Sequence, residues 1–200
     1  MPLSSFFVRG FVSGASILTG FGTLWALGSQ SGLPTGGQGI LLVGTAAICT
    51  ILAVTNIRLW LQAGRLPTSP VPEETTYWEK AGPRFGLVFG AEIALIVVIS
   101  SVLSRIGHET LIPPAIALIV GLHFLPLARL FHLPIYSATG IAMSLLAVGC
   151  LVAVLLGLRL GGMSLFVWSS VVGVGNALIL WSTAIYLLSQ GYRALPRTQQ

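Results

Sequence analysis

The chain has 200 residues, of which 54 % are hydrophobic and 8 % charged, with a formal net charge of +5 and a mean hydropathy of +0.92. A soluble domain carries about 25 % charged residues, so there is too little polar surface here to cover a water-exposed globule. The basic residues sit at the ends of apolar runs, where lipid headgroups lie. The expected partner is therefore the lipid bilayer, and nucleic acid is excluded.

Six apolar runs follow one another, at residues 10–29, 39–63, 85–104, 113–131, 135–158 and 163–190. Each reaches roughly the 20 residues needed to cross about 30 Å of hydrocarbon. Irregular backbone cannot face lipid. The fold class is therefore all-α, an integral membrane bundle of six helices forming one domain over 1–200. The first run exceeds the apolar core of a signal peptide and no clear cleavage site follows it, so it reads as a retained helix. After it, 29–38 with Gly32, Gly36 and Gly37 reads as a flexible outer loop.

The segment 64–84 is the longest polar one. Pro67, Pro70 and Pro72 predict an extended first half. Pro72-Glu73-Glu74 suits a helix start and Gly82-Pro83 a helix end, which predicts a short interfacial helix over 73–81 anchored by Tyr77 and Trp78. In the fourth run Pro126 leaves the carbonyl of Leu122 without its helical donor and predicts a kink beside His123. In the fifth, Gly149, Ala153, Gly157 and Gly161 recur at four-residue spacing. They predict a smooth stripe for intramolecular packing or for a second protomer or membrane partner. Shorter versions occur at Gly10 and Gly14, Ser16 and Gly20, and Ser169 and Gly173. Cys49 and Cys150 read as small apolar residues within helices, and neither has a metal-ligand neighbour at suitable spacing.

Arginines set the sides. With the N-terminus and Arg9 in the cytoplasm, Arg58, Arg65, Lys80, Arg84, Arg129, Arg193 and Arg197 fall on the same side, and only Arg105 and Arg159 fall opposite. This bias predicts cytoplasmic termini. The chain also reads as three successive helical hairpins. Each ends in a basic residue shortly before Leu-Pro: Arg65 before Leu66-Pro67, Arg129 before Leu133-Pro134, and Arg193 before Leu195-Pro196.

Ionisable residues within hydrocarbon are costly and so draw functional interest. Glu92 lies in the third run and His123 in the fourth. Glu92 is eight residues from Arg84, about 12 Å along a helix, and His123 six from Arg129, about 9 Å. In an antiparallel hairpin the two share a depth. Arg58, seven residues before Arg65, and the nearby Asn56 lie in the same half, so Glu92, His123 and Arg58 are expected to converge. They then serve either as structural glue or as a proton or substrate path. Asn176 reads as a helix–helix hydrogen bond.

No catalytic residue is assigned. The chain contains no Asp and none of the phosphate-loop, zinc-protease or serine-elbow patterns. No cofactor or metal is expected. His108, His123 and His132 are poorly spaced to hold a haem between two of them.

The segment IPPAIALIVGLHFLPLA over 112–128, with Phe85 to Glu92 before it, resembles a family of small polytopic bacterial inner-membrane proteins of unassigned function. The resemblance is strongest over 85–140. It implies a bacterial inner-membrane setting and assigns no activity. The leading functional expectation is a small transporter or channel-like protein, in one version proton-linked through Glu92 and His123. The alternatives are a non-catalytic membrane scaffold or partner subunit and, third, a lipid-modifying enzyme.

Overall fold

The computed structural model describes residues 5–66, 72–160 and 163–195; the side chains of Phe6, Phe7 and residues 72–81 lie outside the description. Among the described residues there are six α-helices: α1 (Ser5–Gly28), α2 (Thr35–Ala63), α3 (Pro72–Arg105), α4 (Ile112–Phe131), α5 (Pro134–Leu155) and α6 (Val167–Arg193). All six are long and apolar enough to cross a membrane, and no strand occurs among the described residues. The protein is an all-α, multi-pass membrane bundle.

The helix ends follow from local chemistry. Pro113 and Pro114 open α4 and Pro134 opens α5, positions where the missing N–H is not needed. Between α4 and α5, His132 adopts the left-handed conformation at φ 53°, and its own N–H bonds back to Ala128. Leu133 is extended, as a residue before proline must be. The resulting connection is only two residues long. Helix α5 stops three residues short of the expected 158 because Gly157 turns left-handed at φ 66°. The Gly157 N–H then bonds to Val154 at 3.0 Å and the Leu158 N–H to Ala153 at 2.9 Å, a Schellman stop.

Helix α6 is the centre of the bundle. It touches α1, α2, α4 and α5, and 56 % of its span is buried, against 6 % for α3. The expected three hairpins are not the packing units. The most extensive contacts join α1 to α6 and α4 to α5, while α3 rests on α4, and α2 rests on α1 and α6. Close approach decides this. Gly22 of α1 lies against Trp181 and the Ala177 carbonyl of α6, and Gly173 of α6 lies against Ser29 and the Trp25 carbonyl.

Three expectations change. The helix over 73–81 is not separate, because α3 runs unbroken from Pro72 through Pro83 to Arg105. A proline forfeits a single hydrogen bond, and its loss is least costly close to the membrane surface, where water can satisfy the freed carbonyl. The anchor side chains Tyr77 and Trp78 lie outside the described residues. The outer loop is largely ordered: Ser29–Gly32 forms a 3-10 turn, α2 begins at Thr35, and Ser170 Oγ donates to the Ser29 carbonyl at 2.5 Å. Gly32 is pressed against the Phe166 backbone, so it serves contact rather than freedom. The stripe on α5 is also broken. Gly149 is exposed, Ala153 is buried, Gly157 is the helix stop and Gly161 lies outside the described residues.

Candidate functional site

Glu92 projects from α3 and His123 from α4, and the two meet through Glu92 Oε2 and His123 Nδ1. Each side chain is 9 % exposed. The expected match in depth is realised as direct contact. An aromatic layer surrounds the pair. Phe89 stands edge-on to the imidazole at 6.2 Å and Phe124 is tilted against it at 5.9 Å. Phe85 stacks on Phe89, and Phe131 and Tyr136 continue the layer into α5. Placing a carboxyl and an imidazole among rings strengthens their attraction and raises the cost of leaving either alone. The contact is a close approach of the carboxylate to the imidazole, without the alignment of a hydrogen bond at Nδ1.

Arg58 does not join them. It is exposed on α2, and α2 packs against α1 and α6, not beside α3. Depth alone placed Arg58 with the pair, and depth does not say which helices are neighbours: α1 and α6 approach closely through their small residues, and α2 follows them. Asn56 is buried and also lies away from the pair. Its Nδ2 donates to Ser16 Oγ at 2.9 Å and to the Val12 carbonyl at 3.3 Å, tying α2 to α1. The sequence suggested a path residue; the geometry is that of an interhelical lock.

Pro126 is exposed, and α4 continues helical through it to Phe131. The proline ring and half-exposed Leu122 lie on the outer face of α4, so the ring displaces no packed neighbour. Asn176 is fully buried, yet neither amide atom has a hydrogen-bond partner among the described residues. The expected helix–helix bond is made elsewhere, by Thr139 of α5 and Thr183 of α6 at 2.7 Å.

Sequence reasoning missed one further feature. Gly82, Gly86 and Gly90 of α3 are exposed, and a Cβ at any of them would meet nothing within 4 Å. Exposed Ala94 extends the row. The four-residue spacing was readable, but only the packing reveals that this stripe, not the one on α5, faces outward.

Two open lateral grooves lie on the bundle surface. One, of about 460 Å³, runs between α2 and α6; the other, of about 310 Å³, runs between α5 and α6. Neither includes Glu92 or His123. No cluster of three or more metal-ligand side chains occurs among the described residues. No protein-family model, curated protein or solved structure matches this chain.

Proposed function

We propose that this protein is a non-catalytic membrane scaffold or partner subunit that offers the outer face of α3 to another transmembrane helix, in the first instance α3 of a second copy. The observation that carries this reading is the division of α3 into two faces. One bears Glu92 and rests on α4. The other bears the open row Gly82, Gly86 and Gly90. At 3.6 residues per turn Gly90 and Gly86 lie about 160° and 120° around the helix from Glu92, and Gly82 about 80°, so the contact with His123 fixes the rotation that turns Gly86 and Gly90 outward. Helices in lipid associate by close backbone approach at such small residues, and a self-complementary row suits a two-fold pair. A bacterial inner-membrane location with both termini cytoplasmic belongs to the same reading; the bias of basic residues toward one side supports it.

The test is photobleaching step counting of singly labelled chains in lipid vesicles. Wild type is expected to give two-step traces, and Gly86→Leu and Gly90→Leu single-step traces. Single steps for wild type would remove the self-assembly reading. The second reading, a small proton-linked transporter, is favoured by the near-complete burial of an ionisable pair. Proton flux in liposomes that disappears in Glu92→Gln would put that reading first.

A further inference from the structure

We propose that the lateral groove between α2 and α6 binds one anionic phospholipid, with an acyl chain along the groove and the headgroup phosphate held by Arg58 and Arg193. The groove walls are mostly apolar, with Ile51 and Leu52 on α2 facing Ile185 on α6. Its polar groups gather where both helices finish. Thr55, Ser189 and Tyr192 line that end, and Tyr192 donates its hydroxyl to the Thr55 carbonyl at 3.2 Å, bracing α6 against α2.

The two arginines continue the same faces. Arg58 follows Ile51 by seven residues, close to two helical turns, and Arg193 follows Ser189 by four. Both are exposed. No carboxylate occurs anywhere in α1, α2 or α6, so neither guanidinium has an anionic partner on the helices around it. Arg9, at the same end, is already seated over the Trp60 ring at 4.9 Å. Arg58 lies five residues before the end of α2, about 7–8 Å at 1.5 Å per residue. A side chain at that depth can extend its guanidinium to the headgroup level while its stem stays in hydrocarbon. A phosphate offers the planar, two-point acceptor that arginine prefers. Basic sites between transmembrane helices bind anionic headgroups on these terms. An apolar groove whose two faces continue to cations without a carboxylate partner among the described residues fits a lipid rather than a free anion, because only a lipid fills both parts.

The test is native mass spectrometry of the full chain titrated with phosphatidylglycerol and with phosphatidylcholine. Phosphatidylglycerol should bind wild type more tightly. Arg58→Gln should weaken its binding about fivefold, with an unchanged melting temperature in phosphatidylcholine. Arg58→Lys should retain most of the preference. Ile51→Trp, which fills the groove, should reduce binding of both lipids. Equal binding of the two lipids by wild type would overturn the proposal. So would an undiminished preference in Arg58→Gln, or competition by millimolar inorganic phosphate that leaves Ile51→Trp indistinguishable from wild type.

Discussion

Where α4 crosses α5, the backbones of Gly121 and Gly140 touch: a Cβ at Gly140 would stand 2.6 Å from the Gly121 carbonyl oxygen. Backbone cannot step aside as a flexible side chain can. Gly140→Ala should therefore destabilise the bundle by about 1–3 kcal/mol through overpacking. Gly149 on the same helix has open space around its Cβ position, so Gly149→Ala should be neutral or slightly stabilising, as alanine is the better helix former. Reversible unfolding in mixed micelles reads both. Equal effects would mean that the crossing is not closely packed.

The contact between Glu92 and His123 predicts coupled losses. His123→Ala strands a nearly buried carboxyl and should cost about 3–5 kcal/mol if the pair is ionised. Glu92→Gln keeps a polar end for the imidazole and should cost less. The double variant should lose little beyond His123→Ala alone. Losses below about 2 kcal/mol in every variant would identify an ordinary interhelical hydrogen bond between neutral groups.

Asn176 predicts the opposite sign. Its amide is buried without partners among the described residues, and an unsatisfied buried polar group costs about 1–3 kcal/mol. Asn176→Leu should raise the melting temperature of the purified protein. A lower one would reveal that the amide is hydrogen-bonded in the membrane, by bound water for instance.

Gly157 holds a backbone conformation that costs an L-residue about 1–2 kcal/mol. Gly157→Ala should fray the end of α5 and speed hydrogen exchange at the amides of Gly157 and Leu158, whose bonds close the helix. Trp168 donates its Nε1 to the Leu158 carbonyl at 2.8 Å, so its fluorescence should shift in the same variant. Unaltered exchange would show that the stop is set elsewhere.

The six spans were legible because hydrocarbon thickness leaves a long apolar run little choice. The depth match of Glu92 with His123 was legible for the same reason: both distances run along rigid helices from basic residues at the membrane surface. Neighbourhood was not legible. Nothing in the order of the runs reveals that α1 lies along α6, because that contact depends on which small residues of each helix meet the other, as Gly22 meets Ala177 and Gly173 meets Ser29. Arg58 was misjudged on this account: its depth was readable, its direction was not. Asn56 and Asn176 look alike in sequence, and only packing decides that one finds Ser16 while the other finds no hydrogen-bond partner among the described residues.

The packing of α1 along α6 also bears on how the protein is made. Translation runs at about 5–20 residues per second, so α1 is complete roughly eight to thirty seconds before its principal companion has been synthesised. Until then the surface carrying Val12, Ala15 and Leu18, buried in the finished molecule, faces lipid or a borrowed neighbour. Helix α6 is thus the keystone of the bundle, touching α1, α2, α4 and α5, and chains that terminate before Val167 should lack the contacts that join those helices.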